Sequence, residues 1–490
     1  MLNKVFSIVV ILFGLIFVSV RTTGNSKHVY AAGDFIAIDS YITSAMKQNN
    51  IPGVAMAFTQ GDGVTYSKGY GTAGKGRNIT ADTSFYIGSQ SKSFTALAIM
   101  QLVERGILEL DTPVQTYLPW FRVGDQQASQ KITIRHLLQH TSGLSESGYT
   151  ENFPQDTPLE VMVRDLSHAR LTTQVGTKMQ YFNQGYDTLG LIIETVSGKS
   201  YGEFIGENIF IPLKMTNSFT DPAEAEAAGL SQGFSQIFML PVPLDQPFYQ
   251  FDLPAGYIMS SANDMARFLN AMGNGGELDG VRVLEPENVQ LIFTPNTAIQ
   301  STYGFGWYIS QYYGETKITH GGDTERFHTS VLLLPQSKRS LVILFNENHL
   351  VKDYNEYNTL FWSVAGMLTD NPLPAKGTSS ILYGWGLFAI WLGILVMAGR
   401  KITKLPQWRE NMLTWNSRRR IMDIIKHLLG ISVSILIVIV IAPALMNRGF
   451  SWKWFLGFLP DVAIIVGTLV LDDVIQIAVK LWMMARIRYT

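Results

Sequence analysis

The chain has 490 residues, enough for one large or two ordinary domains. Its 38 Lys and Arg against 39 Asp and Glu leave a net charge of −1, so it carries no basic footprint for nucleic acid. With no cysteine, disulfides, thiol nucleophiles and thiolate metal sites are excluded together, and the high 47% hydrophobic content has its excess at the two ends.

At the N-terminus, Lys4 precedes an apolar run from Val5 to Val20, and Ala31 and Ala32 suit signal peptidase. Residues 1–31 therefore read as a cleaved export signal. An uncleaved anchor is the alternative, although the run is short for spanning. Residues 34–50 have the spaced apolar pattern of an amphipathic helix. VAMAF and GVTYSKGYG follow as two strands joined by a Gly-Asp-Gly turn. GYGTAGKG, residues 69–76, nearly matches a phosphate-binding loop but has Gly76 where Ser or Thr would hold a metal ion. No helix follows it, so it reads as a glycine-rich hairpin end.

GSQSKSFTALAIM, residues 88–100, leads into a helical run stopped by Gly106. Ser89 and Lys92 stand three apart, a spacing that brings an ammonium to a hydroxyl on one helix face. The same spacing joins Ser44 to Lys47, but Ser44 falls late in its helix, where the dipole disfavours an anion. Ser89 falls at a strand-to-helix junction, where amide N–H groups converge. On the local string it is equally a helix cap. Ser91 and Ser93 are left without a role.

Residues 110–290 mix helical patches with Pro and Gly loops and show few strands. Ser261-Ala262-Asn263 precedes DMARFL and reads as a helix cap with Asp264. Strand signals return in GWYIS, KITH, HTSVLLLP and SLVILFN, followed by the helical patch YNEYNTLFWSVAGML. The fold expected for residues 33–371 is α/β in the α+β sense. One antiparallel sheet comes from both ends of the domain, flanked by helices, with a mostly helical inserted region.

PLPAKGTSS suggests a linker at 372–379, before a membrane domain at 380–490. Its expected spans are 380–399, 428–446 and 454–471, the last interrupted by Pro460 and Asp461. The segment between the first two holds eight Lys or Arg against two acids. Positive loops stay in the cytoplasm, so a multi-pass cell-membrane protein with residues 33–375 outside is expected.

Scanning for partners of Ser89 gives one Tyr-x-Asn, Tyr181-Phe182-Asn183, and one His-x-Gly, His320-Gly321-Gly322. In collinear order, FYIGSQSKSFTALAIMQLVERGILELDTPVQTYLP, ITIRHLLQHTSGL, YFNQGYDTLGLIIETVSG, IFIPLKM, PAGYIMSSANDMARFL, YGFGW and THGG span roughly residues 34–370. They resemble the class C β-lactamase-like serine hydrolases, a family of β-lactamases, penicillin-binding proteins, D-Ala-D-Ala carboxypeptidases, D-aminopeptidases and esterases.

The resemblance implies that Ser89 attacks a carbonyl and forms an acyl-enzyme. Lys92 or Tyr181 takes its proton, and Lys92 is expected to favour the Tyr181 phenolate. Asn183 is expected to hold Lys92 and the substrate amide, with His320 and Gly322 also binding substrate. The oxyanion hole falls on the backbone N–H groups of Ser89 and Asp323. No metal or cofactor is implied. The expected partners are a small peptide, amide or ester substrate, a peptidoglycan stem peptide among them, and the lipid bilayer.

Two departures stand out. His320 stands where many relatives carry Lys, which largely removes a fixed cation at neutral pH. GDTERFHTS replaces a usual Pro-Gly-Phe, leaving Arg326 as either a carboxylate contact or a solvated loop residue. HTSGL, 140–144, reads as structural loop chemistry with no catalytic role for His140. The leading expectation is an outward-facing hydrolase of D-amino-acid wall peptides, with an esterase as the near alternative. A catalytically silent sensor or assembly protein is the alternative of another class, and the intact Ser89, Lys92, Tyr181 and His320 argue against it.

Overall fold

The computed structural model describes residues 35–61, 63–150, 152–369, 371, 380–441 and 452–487. The expected export signal and the expected linker lie outside them. The described residues form two compact units, one drawn from residues 23–235 and 241–376, the other from 236–240 and 377–490.

The larger unit is built on a seven-stranded antiparallel sheet. Its strands are β1 (Gly53–Gln60), β2 (Gly63–Gly74), β3 (Arg77–Asn78), β4 (Tyr308–Tyr312), β5 (Glu315–Asp323), β6 (His328–Leu334) and β7 (Arg339–Phe345). Their spatial order is β4-β5-β6-β7-β1-β2-β3, so the two ends of the unit meet where β1 pairs with β7. Alternation along β1 and β7 decides which face each residue covers. Val54, Met56 and Phe58, with Ile343 and Phe345, pack under α1 (Phe35–Asn49) and a late helix (Asn358–Thr369). The intervening Ala55, Ala57, Val342 and Leu344 face the main core, where their small or branched side chains let helices sit close.

On that face lie α2 (Ser91–Glu104), α3 (Asn183–Ser197) and α4 (Ala262–Gly273), the body of the mostly helical inserted region. Ser261 caps α4 by accepting from the Asp264 N–H at 3.1 Å, as its sequence position suggested. GYGTAGKG is the hairpin end joining β2 to β3, with Gly74, Lys75 and Gly76 all at positive φ.

In the smaller unit, three helices among the described residues are long and apolar enough to cross a membrane: Ser380–Thr403, Ser417–Val440 and Pro460–Arg486. The third begins later than expected and runs further. Pro460 opens that helix, with Asp461 in its first turn. A residue that interrupts a helix interior is well placed at its first position, where its missing N–H costs nothing. Ionisable side chains on these helices pair across them: Lys401 with Asp472 at 2.5 Å, Lys480 with Asp423 at 2.7 Å, and His427 with Asp473 at 2.6 Å.

Candidate active site

Gly88–Gln90 form a single tight turn, and α2 starts at Ser91. Ser89 thus stands two residues before the α-helix, half-buried, in the turn that leads into its N-terminus. Lys92 in the first turn is fully buried and donates from Nζ to Ser89 Oγ at 3.1 Å and to the Ala255 carbonyl at 2.6 Å. Burial draws the Lys92 ammonium down to about 8, opposed by the Asp252, Asp187 and Glu146 carboxylates. Ser91 and Ser93 are not incidental. Ser91 Oγ donates to the Gly88 carbonyl at 2.7 Å and accepts from the Ile258 N–H at 3.1 Å, and Ser93 Oγ donates to the Gln90 carbonyl at 2.7 Å. They tie the turn on both sides of the nucleophile candidate.

Tyr181 meets Lys92 differently from expectation. The Lys92 nitrogen lies over the Tyr181 ring, 4.8 Å from its centroid, rather than against the phenolic oxygen. Burial pushes the phenol well above 10, with the nearby Ser89 hydroxyl opposing it, and the Tyr181 oxygen makes no hydrogen bond among the described residues. The expected phenolate is therefore disfavoured. Asn183 opens α3, but its Oδ1 is buried without a hydrogen-bond partner, and the Ala255 carbonyl holds Lys92 in its place.

His320 lies in β5 and is buried. Its Nδ1 is hydrogen-bonded to the Gly321 carbonyl, so Nδ1 carries the proton and Nε2 accepts from Tyr303 Oη at 3.1 Å. Burial, with Lys92 adding to it, pushes the imidazole down to about 3. It is neutral and offers no cation to a carboxylate. Arg326 is not a solvated loop residue: it is half-buried and donates to the Glu325 carbonyl at 2.8 Å.

Gly322 and Asp323 end β5 against the nucleophile turn. A Cβ on Gly322 would fall 1.9 Å from the Ile87 carbonyl oxygen, so only glycine lets the strand approach this closely.

His140, read from the sequence as loop chemistry with no catalytic role, lies beside the candidate site. It sits at φ 55°, buried, with its ring 4.3 Å from Tyr181 and 4.8 Å from Tyr303. Its carbonyl accepts from the Gln180 N–H at 2.7 Å and its Nδ1 from the Phe182 N–H at 3.2 Å. HTSGL is loop chemistry, as read, and what the loop grips is the Tyr-x-Asn segment. The motif was the available signal, without a partner to attach it to.

The family model described as Beta-lactamase matches residues 38–365. The chain belongs to the beta-lactamase family, with a fold of the β-lactamase and penicillin-binding-protein type. It is 25% identical over 446 residues to Protein flp of Staphylococcus aureus strain NCTC 8325, covering 86% of this chain and 85% of that one. It is 34% identical over 275 residues to the putative penicillin-binding protein PbpX of Bacillus subtilis, covering 55% of this chain and 65% of that one. The octameric penicillin-binding protein homologue from Pyrococcus abyssi superposes with a TM-score of 0.61 at 28% identity, covering 69% of this chain and 78% of that one.

Proposed function

We propose that this protein is a membrane-anchored serine hydrolase, its catalytic unit outside the cytoplasm, acting through a Ser89 acyl-enzyme on D-amino-acid peptides of the cell wall. The observation that carries the reading is the buried Lys92, 3.1 Å from Ser89 Oγ and drawn down to about 8. A lysine poised there is neutral in a useful fraction of molecules near neutral pH, whereas a buried Tyr181 is not a phenolate.

Lys92 in its neutral form takes the Ser89 proton as Oγ bonds to the substrate carbonyl carbon. The carbonyl oxygen gains the negative charge, and the N–H groups of Ser89 and Asp323 stabilise it. The bond to the leaving amine or alkoxide then breaks, and the Lys92 ammonium, beside Ser89 Oγ, returns the proton to the leaving group. Water repeats the sequence on the acyl-enzyme and frees Ser89. The names of the Bacillus and Pyrococcus relatives support a penicillin-reactive nucleophile.

A second reading, an esterase of the same family, is favoured by His320. Held neutral by burial and bonded to Tyr303, it gives a substrate carboxylate no fixed charge.

Labelling of membranes with a fluorescent penicillin and a fluorophosphonate tests both. Labelling that disappears in Ser89→Ala supports the nucleophile; undiminished labelling excludes it. Penicillin labelling favours the wall-peptide substrate, and fluorophosphonate labelling alone favours the ester. Absence of both in the wild type supports a silent domain.

A further inference from the structure

The end of β5 is held through the side chain of Asp323. Asp323 and His328 are directly opposed across β5 and β6. Asp323 Oδ1 accepts from His328 Nδ1 at 2.8 Å and from Asn348 Nδ2 at 3.0 Å. The same Asn348 nitrogen gives its other hydrogen to the Thr324 carbonyl at 2.7 Å. One buried carboxamide therefore grips both Asp323 and the residue after it. The His328 ring is fixed in turn, stacked on Tyr357 at 5.0 Å and set 5.5 Å from Phe345, with Nε2 2.9 Å from Ser330 Oγ.

A second carboxylate, Asp353, comes within 3.5 Å of the same Nδ1. The titratable groups facing His328 are thus Asp323 from β5 and Asp353 and Tyr357 from the helical segment after residue 350. Next out lie Glu356 and the buried Glu347–Lys352 pair, whose carboxylate accepts from Tyr357 Oη at 3.1 Å.

The arrangement matters because β5 stops at Asp323, where a strand end would otherwise fray. The Asp323 backbone nitrogen also has little room to move, since a Cβ built on Gly88 would come within 2.3 Å of it. A donor acting on a developing oxyanion has to be fixed in place beforehand to stabilise it.

We propose that His328 and Asn348 are positioning residues for the oxyanion hole: gripping the Asp323 side chain, they fix its backbone N–H, and the grip is tightest when the imidazole is protonated. The proposal rests on the Ser89 and Asp323 reading above. Burial works against the His328 charge, but the Asp323 and Asp353 carboxylates outweigh it and raise the imidazole above its usual range. The charge-assisted bond is therefore complete on the acid side and weakens as pH rises through that raised value.

The test uses the full chain in detergent micelles, with fluorescent penicillin acylation and p-nitrophenyl ester hydrolysis as readouts. Ser89→Ala is measured alongside, and its continued activity would overturn the nucleophile and this proposal together. With Ser89 established, His328→Phe is expected to lower kcat about 10-fold, less than outright loss of an oxyanion donor because the Asp323 N–H remains, with KM within about 2-fold. His328→Asn carries an N–H donor at the same point on the side chain but does not titrate. It is expected to recover most of the kcat and to lose an alkaline fall present in the wild type. Wild-type kcat in His328→Phe, or an unchanged alkaline limb in His328→Asn, overturns the proposal while leaving Ser89 in place. His328→Asn decides the matter if the phenylalanine variant does not fold.

Discussion

Gly88 and Asp323 touch where no side chain fits between them: a Cβ on Gly88 would fall 2.3 Å from the Asp323 nitrogen and 2.5 Å from the Gly322 carbonyl carbon. Gly88 is also at φ 56°, a conformation that L side chains rarely adopt. Gly88→Ala is therefore expected to push Asp323 away from Ser89 and lower the acylation rate by about 100-fold or more, the scale of losing an oxyanion donor. Stopped-flow acylation checks this. A rate within a few-fold of wild type would separate Asp323 from catalysis.

Lys92 gives a pH profile whose sign follows from its role. A base must be unprotonated, so kcat/KM is expected to carry an acid limb that rises with pH through a group near 8. Lys92→Ala is expected to lower kcat/KM by about 1,000-fold and to abolish that acid limb. A limb that survives in Lys92→Ala assigns the ionisation elsewhere.

His320 sets the balance between substrates. His320→Lys restores a cation where the neutral imidazole now bonds Tyr303. Penicillin acylation relative to neutral-ester hydrolysis is expected to rise about 10-fold, as a carboxylate gains a charged partner. The thermal midpoint falls, because a buried charge is added near Lys92 and Tyr303 loses its acceptor. Parallel kinetics on the two substrates read the ratio.

The Lys352–Glu347 pair, 2.6 Å apart with both side chains fully buried, braces the segment that leads to Asn348. Lys352→Met strands the Glu347 carboxylate and is expected to cost about 3–5 kcal/mol. A double replacement that also makes Glu347 apolar recovers most of that loss, since a well-packed apolar pair avoids the desolvation penalty. Urea titrations of the full chain in micelles measure both.

The absence of cysteine makes each introduced thiol a clean reporter of sidedness. Asp156 and Gln407 are both exposed within their own units. With a membrane-impermeant maleimide, Asp156→Cys is expected to label on intact cells and Gln407→Cys only after permeabilisation. The reverse pattern inverts the proposed topology.

How far the sequence reaches depends on the range over which each feature acts. Ser89 and Lys92 obey a rule internal to one turn, and their 3.1 Å contact follows from spacing alone. The sheet from both ends was readable because strand patterning is local and few strands intervene. The Tyr303–His320 bond was not, since it depends on how the loop before β4 returns to β5, which no periodicity records. Lys92 resting on the ring of Tyr181 rather than its oxygen is likewise a product of packing. Pro460 shows a third limit: one residue signals both a break and a beginning, and only its position in the helix decides between them.

The pairing of β1 with β7 also sets an order of events in synthesis. Thr59 and Ser340 share a 2.7 Å hydrogen bond across a separation of 281 positions. A chain growing from its N-terminus holds β1 without its central neighbour until almost the whole unit has been made. The same wait applies to the turn of Ser89, whose opposing strand ends at Asp323. A nascent chain therefore has no stage at which a half-built site could acylate anything. The last strand completes the sheet and the candidate site together, shortly before the first of the long apolar helices is made.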